Sequence, residues 1–543
     1  MRMLGAALTV AIVLPTTAVA SSQQTNDRPS IHFTPPTGWI NDPNGLVRVG
    51  DIYHLFYQHN PDDILWGPMH WGHATSEDLL SWNHQPIALF PDEIGTIFSG
   101  SAVIDHHNSA GFGEGAIVAA FTHFATPRQM QSLAYSTDQG HTWQKYEGNP
   151  ILQPPSGIRN FRDPLVFLWD RGPGDPHWVM AVGSGLAIIF YRSPDLRNWT
   201  PMSTVGPMVG ATCGVWETPD LIELPIAGTS RSAWVLTVAT SDCSPSGGSG
   251  VQYFVGDFDG ERFVNANDDE TELWADWGPG FYAPQTWGEV PDRAVWIGWM
   301  SSWQYAQAVP ASTWRGSMSI PRELSLIETP DGLLLAQQPV SEIDDVRWPL
   351  TSIEAKVREG APLIAPLGPD RAFDVHAKFS WEAGSIRRAV LRFHGAPGEW
   401  TDVGYAIPES RTYVDRSQSG SAEVTPWFGS AHLGPAEPPG RTDLDIRVIV
   451  DRSSLEIFID RGAIVFTEQV FPESWTGVEL LVEGGTADVE ATVSFIDPGN
   501  LVEPPRSGRS HGTWVATAAL AALLLVLVLA AYRTHQRREA IRG

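Results

Sequence analysis

Short hydrophobic stretches, separated by polar turn-forming residues, fill the middle of the chain and predict β-strands. Residues 53–57 (YHLFY), 178–182 (WVMAV) and 234–238 (WVLTV) are rich in aromatic and β-branched side chains and are bounded by Gly, Pro, Asp or Asn. This composition is typical of strands that end in turns. Convincing helical periodicity is absent before residue 514. The pattern therefore predicts an all-β fold over most of the chain.

A turn motif recurs along the first part of the chain. Three copies run from a Ser-x-Asp turn to a Trp, and they begin at Ser76, Ser136 and Ser193, which are 60 and 57 residues apart. Residues 259–263 (DGERF) resemble a degenerate fourth copy. A repeat of this length is typical of a propeller blade with four strands. We therefore predict a five-bladed β-propeller over residues 30–335, with its ligand site at the central channel.

The pattern changes after about residue 340, where a mixed polar segment precedes a new alternating region. Residues 444–450 (LDIRVIV) alternate and are followed by a second strand-like stretch, 455–459 (LEIFI), and a turn at 460–462 (DRG). This pattern is typical of an antiparallel two-sheet structure. The sequence thus predicts a β-sandwich domain over residues 346–498.

The two ends of the chain have the composition of targeting segments. Residues 1–20 combine an early Arg, an apolar run and the small-residue site Ala18-Val19-Ala20, a pattern typical of a secretory signal peptide. Residues 514–532 are uncharged and apolar, with an aromatic residue at each end, and four Arg residues follow in 533–543. This predicts a membrane-spanning helix with a cytoplasmic tail.

The stretch between the predicted sandwich and the predicted helix, residues 499–513, has the composition of a stalk. We therefore expect an exported protein that is anchored at the cell surface, with an extracellular catalytic domain and the membrane as one partner.

Charge and cysteine content narrow the function further. The chain has 35 basic and 62 acidic residues and a formal charge of −27. This balance excludes nucleic-acid binding, which needs clustered Lys and Arg, and it suits a neutral ligand. The histidines at positions 70, 73, 106 and 107 lack the spacing of a metal site, so no metal is predicted. Cys213 and Cys243 are the only cysteines, and the sequence leaves open whether they form a disulfide.

Three carboxylates carry the candidate chemistry. They stand in unusual local sequences, namely Asp42 in WINDPNG, Asp163 in FRDP and Glu217 in VWETPD. Each alone is explained as a turn, a surface ion pair or a strand end. Together, in a propeller-like pattern, they indicate cleavage of a glycosidic bond, because that reaction needs one protonated carboxyl group and one ionised carboxylate. A third carboxylate beside an arginine stays ionised and binds sugar hydroxyls.

At these motifs the chain resembles glycoside hydrolase family 32, the invertases, inulinases, levanases and fructanases, over nearly all of residues 30–498. The resemblance implies that Asp42 is the nucleophile, that Asp163 holds the fructosyl hydroxyls and stabilises the transition state, and that Glu217 is the acid/base. It also implies seven substrate-binding residues: Asn41, Gln58, Trp66, Phe98, Ser99, Arg162 and Trp303.

The same resemblance implies a five-bladed propeller followed by a β-sandwich, retention of configuration, and neither metal nor cofactor. Two residues depart from the family pattern. Ile40 replaces the usual Met beside the nucleophile, and Thr218 stands after the acid/base where Cys is frequent. Residues 71–74 (WGHA) and 95–100 (GTIFSG) are more similar to the levanase and exo-inulinase branch than to plant invertases.

The sequence therefore predicts a retaining exo-acting β-fructosidase that hydrolyses terminal fructosyl bonds of levan, inulin or sucrose-type substrates through a covalent fructosyl-enzyme intermediate. Three alternatives stay open: a fructosyltransferase with the same nucleophile, an inverting arabinan-type hydrolase, and a non-catalytic sugar-binding surface protein. The choice among fructans, exo against endo action and the oligomeric state do not follow from the sequence.

Overall fold

Five consecutive antiparallel sheets form a β-propeller in the computed structural model, which describes residues 28–171, 176–368, 371–420, 424–426 and 428–499. The first three blades each contain four strands, listed in chain order: β1 (Gly38–Val49), β2 (Ile52–Asn60), β3 (His70–Ser76), β4 (Asn83–Leu89); β5 (Thr96–Asp105), β6 (Ala116–Ala125), β7 (Arg128–Ser136), β8 (Gln144–Lys145); β9 (Phe161–Trp169), β10 (His177–Ser184), β11 (Ile188–Ser193), β12 (Thr200–Val205).

The last two blades complete the ring. Their strands are β13 (Trp216–Pro225), β14 (Ser232–Thr240), β15 (Gly250–Phe258), β16 (Phe263–Asn265), β17 (Leu273–Trp274); β18 (Tyr282–Thr286), β19 (Ala294–Trp299), β20 (Trp314–Arg315), β21 (Arg322–Thr329), β22 (Gly332–Pro339). Strand β20 leaves the fifth blade and pairs in parallel with β1 of the first. The innermost strands β1, β5, β9, β13 and β18 contact one another in a closed ring around the channel.

The repeated turn motif lies between the third and fourth strands of the blades. In the first blade Ser76 Oγ donates to Asp78 Oδ1 over 3.0 Å, and the same Asp78 oxygen accepts the backbone N–H groups of Leu80 and Ser81. The buried Trp82 then directly precedes β4. The Ser and Asp side chains thus satisfy the backbone of the turn, which explains why the motif recurs in the first three blades.

Two six-stranded sheets form the sandwich that follows. Its strands are β23 (Arg347–Arg358), β24 (Leu363–Pro366), β25 (Ala372–Ser380), β26 (Arg388–His394), β27 (Trp400–Ala406), β28 (Arg411–Gln418), β29 (Ala431–Leu433), β30 (Asp443–Asp451), β31 (Ser454–Ile459), β32 (Ile464–Gln469), β33 (Gly477–Glu483) and β34 (Thr486–Ile496). The sheet orders are β23-β34-β25-β30-β31-β32 and β24-β33-β26-β27-β28-β29. In β25, Val375 and Phe379 are buried in the core between the sheets while Lys378 is exposed, as a period of two requires.

Propeller and sandwich are joined along strand β32. The backbone N–H of Trp277 donates to Val465 O over 2.8 Å, and that of Gly280 donates to Thr467 O over 3.0 Å. The edge of the first sandwich sheet is therefore covered by a propeller loop, which removes an exposed edge strand.

The predicted membrane-spanning helix is corrected by this structure. Among the described residues no helix is long and apolar enough to cross a membrane, and the only α-helix there, α1 (Glu342–Asp345), has 4 residues. Four residues rise about 6 Å, against a hydrocarbon core of about 30 Å. The fold class of the described residues is therefore all-β, a propeller and a sandwich, and the predicted membrane-spanning helix is not found among them.

Several predicted segments lie outside the described residues. They are the signal peptide at 1–20, the stalk beyond residue 499, the helix at 514–532 and the tail at 533–543. Within the described part, the question about the cysteines is answered: Cys213 and Cys243 form a disulfide, with their Cα atoms 6.2 Å apart.

Candidate active site

A β-bulge interrupts the innermost strand of every blade. At each bulge two residues oppose a single residue of the neighbouring strand, and the bulged pairs are Asn41 and Asp42, Phe98 and Ser99, Asp163 and Pro164, Thr218 and Pro219, and Ala283 and Pro284. A bulge takes residues out of the hydrogen-bond ladder and redirects their side chains. It also accommodates Pro, which has no N–H to donate. The bulges thus aim the candidate residues into the channel.

A cavity of about 640 Å³ lies at these bulges, a volume typical of small-ligand sites. All ten residues singled out in the sequence line it: Asn41, Asp42, Gln58, Trp66, Phe98, Ser99, Arg162, Asp163, Glu217 and Trp303. The structure therefore brings together residues from all five blades, from Asn41 in the first to Trp303 in the fifth.

Asp42 is buried and held from two sides. Ser99 Oγ donates to Asp42 Oδ2 over 2.7 Å, and Asn41 Nδ2 donates to Oδ1 over 3.0 Å. Trp39 Nε1 in turn donates to Asn41 Oδ1 over 2.8 Å and orients that amide. Burial raises the pKa of Asp42 to about 6, helped by the charge of Glu217, while the hydrogen bonds from Ser99 and Asn41 oppose the shift. The carboxylate is thus ionised above about pH 6, and these donors fix its direction.

Glu217 is held by residues of the two neighbouring blades. Arg162 Nε donates to Glu217 Oε1 over 2.9 Å, and Arg162 Nη2 donates to the same oxygen. The hydroxyl of Tyr282 donates to Glu217 Oε2. Burial and the charge of Glu217 raise the pKa of Tyr282 well above its ordinary value, so this phenol stays protonated and acts as a donor. Both carboxyl oxygens of Glu217 are therefore fixed in direction.

Asp163 lies between these groups. Its Oδ2 accepts the backbone N–H of Thr218 over 3.1 Å and lies 3.8 Å from Arg162 Nε. Its own N–H donates to Thr122 Oγ1 over 2.9 Å, which secures a left-handed backbone at φ 66°. Burial raises the pKa of Asp163 above its ordinary value, and the charges of Glu217 and Asp42 add to this rise, whereas the positive charge of Arg162 opposes it without cancelling it. Arg162 is thus a cation that lies against both Asp163 and Glu217.

The two residues that depart from the family pattern keep their places without altering these contacts. Thr218 holds Asp163 through its backbone N–H, a contact that any residue except Pro supplies. Its buried hydroxyl makes no hydrogen bond within the described part of the chain. Ile40 is fully buried beside the first bulge, where an apolar side chain of similar size to Met packs equally well.

Aromatic side chains form two walls of the cavity. On one side the ring centroids of Trp66 and Phe98 are 6.2 Å apart, and those of Phe98 and Phe124 are 4.6 Å apart. On the other side Trp303 packs against Trp299 with centroids 4.9 Å apart. Such faces stack on the apolar surfaces of sugars, while buried amides hydrogen-bond their hydroxyls.

Sequence reasoning missed several residues of the site. Tyr282 contacts Glu217, and Gln129 and Asn160 fix Arg162, whose Nη1 donates to Gln129 Oε1 over 3.2 Å and to Asn160 Oδ1 over 3.0 Å. Gln307 also lines the cavity. No group of three or more His, Cys, Asp or Glu residues in the described ranges is arranged to hold a metal ion. The titratable groups that converge on the cavity include three carboxylates, the guanidinium of Arg162 and the phenol of Tyr282.

Comparison with protein families identifies two matching regions. The profile described as "Glycosyl hydrolases family 32 N-terminal domain" matches residues 32–339. The profile described as "Glycosyl hydrolases family 32 C terminal" matches residues 350–496. The first region contains the propeller strands and the second contains nearly all of the sandwich.

Individual proteins agree with this match. A Bacillus subtilis protein named levanase is 43% identical over 476 residues, which covers 86% of this chain and 69% of the levanase. An Aspergillus niger protein named extracellular exo-inulinase is 36% identical, covering 86% of this chain and 94% of that protein. The crystal structure of exo-inulinase from Aspergillus awamori superposes with a TM-score of 0.81 at 35% identity, covering 87% of this chain and 98% of the other.

Proposed function

The chain belongs to glycosyl hydrolase family 32, and from this premise we propose that it removes terminal fructosyl units by a retaining mechanism centred on Asp42, Asp163 and Glu217. It is a glycoside hydrolase that acts on fructans or sucrose-type substrates. The roles of the individual residues are derived from the contacts in the cavity.

In the first half of the reaction, ionised Asp42 attacks the anomeric carbon of the terminal fructosyl unit. Protonated Glu217 gives its proton to the glycosidic oxygen, so the leaving sugar departs as an alcohol. A covalent fructosyl ester on Asp42 results. Asp163 binds hydroxyls of the fructosyl ring and stabilises the positive charge that develops at its anomeric carbon.

In the second half, Glu217 is ionised and takes a proton from water. The hydroxide equivalent attacks the anomeric carbon, fructose is released, and Asp42 is again a free carboxylate. Arg162 and Tyr282 suit this half because both donate to the Glu217 carboxylate. Two inversions at one carbon give net retention.

The convergence of three carboxylates on one cavity, each with its own donors, is the observation that carries this proposal. A pocket that only bound a sugar would need no matched nucleophile and acid, and burying three carboxylates together costs free energy. Their presence favours catalysis over passive binding.

Replacement of the nucleophile tests the proposal. We expect Asp42→Asn to lower kcat on sucrose by on the order of 10⁴-fold or more while sugar binding stays measurable. The matched control is Asp51→Asn, since Asp51 lies on the first blade with its side chain 95% exposed, and it should retain full activity. Turnover by Asp42→Asn at the wild-type rate would exclude this residue as nucleophile. An inverted first product, observed by NMR, would exclude retention.

The named activities of the relatives support levan and inulin as substrates beside sucrose. We propose exo-action on both fructans, because one relative is named levanase and others are named exo-inulinase. Side-by-side hydrolysis of levan, inulin and sucrose by the full chain tests this. Release of fructose alone from the earliest time points is expected. Early release of longer oligosaccharides would contradict exo-action, and mainly elongated products from sucrose would favour the transferase.

Export is the third element of the proposal. It is supported by the signal-like sequence of residues 1–20 and by relatives named extracellular. Activity outside the producing cell, on a protein whose mature N-terminus follows Ala20, is the expected result. Activity confined to the cell interior would contradict it.

A further inference from the structure

A short helical turn, residues 302–309, connects the cavity to the sandwich; we call it the rim turn. The N–H of Ala306 donates to Ser302 O over 2.8 Å, and that of Val309 donates to Tyr305 O over 3.2 Å. Residues four positions apart therefore share a face. One face carries Trp303 and Gln307, and the opposite face carries Tyr305 and Val309.

The first face of the rim turn lines the cavity. Trp303 packs inside, with its ring centroid 6.2 Å from that of Trp39, whose indole orients Asn41 beside the nucleophile. Gln307 lines the same cavity but is exposed to solvent, so it lies at the mouth. Its amide offers both hydrogen-bond donors and an acceptor, as recognition of a sugar hydroxyl requires.

The second face packs on the sandwich. Tyr305 and Val309 form a buried cluster with Phe428, and the rings of Tyr305 and Phe428 meet edge to face with centroids 5.1 Å apart. The guanidinium of Arg416 lies 4.1 Å from the centroid of Phe428. Arg416 is itself held by Glu468, 3.1 Å away. Sandwich side chains thus set the position of a propeller turn that borders the cavity.

We propose that Gln307 binds the sugar on the leaving-group side of the scissile bond and that Phe428 and Arg416 are positioning residues for it. This inference rests on the proposed function, because only fructosyl cleavage defines a leaving sugar. The buried carboxylates occupy the inner part of the cavity and take the terminal fructosyl unit. The rest of the substrate leaves through the mouth, where the exposed amide of Gln307 meets its hydroxyls.

Substrates that differ only in the leaving group test the role of Gln307. For Gln307→Ala we expect a KM about five-fold higher on sucrose and on an inulin-type trisaccharide, since one hydrogen bond is lost, with kcat unchanged. An aryl β-fructofuranoside, whose leaving group carries no hydroxyls, should be cleaved with wild-type constants. The control Gln304→Ala removes an exposed amide of the same turn that is not among the cavity-lining residues and should match the wild type on both substrates.

An unchanged KM on the trisaccharide, or an equal loss on the aryl fructoside, would overturn the assignment of Gln307. Failure of the proposed function is distinguishable, because the wild-type chain would then cleave neither substrate.

A separate kinetic measurement tests whether Phe428 positions Gln307. Phe428→Leu should raise KM on the trisaccharide about three-fold and leave kcat on the aryl fructoside unchanged, and its effect should not add to that of Gln307→Ala. Val309→Ala, on the rim turn itself, should have the same effect on KM. It replaces Phe428→Leu as the test if that variant does not yield folded protein. If the effects of Phe428→Leu and Gln307→Ala on KM were fully additive, or if kcat fell equally on both substrates, Phe428 would have only a structural role. Either result would overturn this part of the proposal.

Discussion

At the residue scale, the site depends on hydroxyl and amide groups that oppose the effect of burial on its carboxylates. Burial and the charge of Glu217 raise the pKa of Asp42, and the hydrogen bonds from Ser99 and Asn41 limit that rise to about 6. A nucleophile must be ionised at the working pH. The small polar residues in the bulges of the first two blades therefore decide over which pH range the enzyme is active.

Replacing Ser99 by Ala should move the acid limb of the pH profile. Ser99 donates to the ionised form of Asp42 over 2.7 Å, so its loss raises the pKa of Asp42 and the carboxylate is protonated at a higher pH. Because the pKa of Asp42 is about 6, we expect the acid limb of kcat/KM on sucrose near pH 6 in the wild type and about one pH unit higher in Ser99→Ala. The control is Ser136→Ala, which removes a similar hydroxyl–carboxylate bond, to Asp138, in a surface turn. An acid limb that stays in place in Ser99→Ala would contradict this account.

At the element scale, the five bulges show how one local device builds a site from separate blades. Directly before the bulge, the last three blades place Arg162, Glu217 and Tyr282. These three equivalent positions form a continuous chain of hydrogen bonds across neighbouring blades. Because the inner strands form a closed ring, residues at the same position in neighbouring blades come into contact.

This geometry explains what the sequence could and could not predict. Asp42, Asp163 and Glu217 are found from their local motifs, and the Ser-x-Asp turns reveal the blade repeat. Tyr282 was missed because its surroundings, Tyr-Ala-Pro-Gln, are those of an ordinary strand start. Its signal is positional: a residue followed by x-Pro recurs at Arg162, Glu217 and Tyr282, but only closure of the ring shows that the third contacts the second. Contacts of this kind are tertiary and leave no local pattern.

Removing the hydroxyl of Tyr282 should affect the chemical step more than binding. Tyr282→Phe leaves the ring packed but frees one oxygen of Glu217, so the carboxyl group is less well aimed at the glycosidic oxygen. We expect kcat on sucrose to fall about tenfold with KM little changed. Tyr253→Phe is the matched control, since Tyr253 is a buried tyrosine of the fourth blade whose hydroxyl accepts the N–H of Leu335. A tenfold rise in KM with unchanged kcat would show that Tyr282 acts on the sugar instead.

At the scale of the whole molecule, a buried ionic network joins propeller and sandwich. His32, just before the first blade, contacts Asp451 Oδ2 through Nδ1 over 2.7 Å and Glu456 Oε1 through Nε2 over 2.8 Å. Arg322 of the fifth blade donates to Glu456 as well, through Nε over 2.9 Å. The side chains of these four residues are inaccessible to solvent. Burying such a network costs desolvation free energy. Removing one of its partners is nevertheless strongly destabilising, because the remaining charge is then buried without a partner.

The network makes the stability of the molecule depend on pH. Burial lowers the pKa of His32, but the hydrogen bonds and charges of Asp451 and Glu456 outweigh it and raise the pKa to about 9. A raised pKa contributes stability that is fully present below the unfolded value of about 6.5 and is lost as the pH rises through about 9. The pKa values of Asp451 and Glu456 are lowered, chiefly by His32 for the first and Arg322 for the second, against the effect of burial. Their contribution is present above the unfolded values near 4 and is lost as the pH falls below them.

Urea unfolding between pH 5.5 and 9.5 tests this linkage. The wild type should lose roughly 3 kcal/mol of unfolding free energy from pH 6.5 to pH 9.5 on account of His32. His32→Gln should be less stable at pH 5.5 by about 3–5 kcal/mol, because two buried carboxylates lose their partner, and should lack the alkaline decline. In the control His376→Gln the lost partner is Asp445 in a half-exposed pair, so the wild-type pH dependence should persist. If His32→Gln declined with pH as steeply as the wild type, the proton that links the two domains would have to reside elsewhere, and the junction would be held by packing and the backbone bonds of β32 alone.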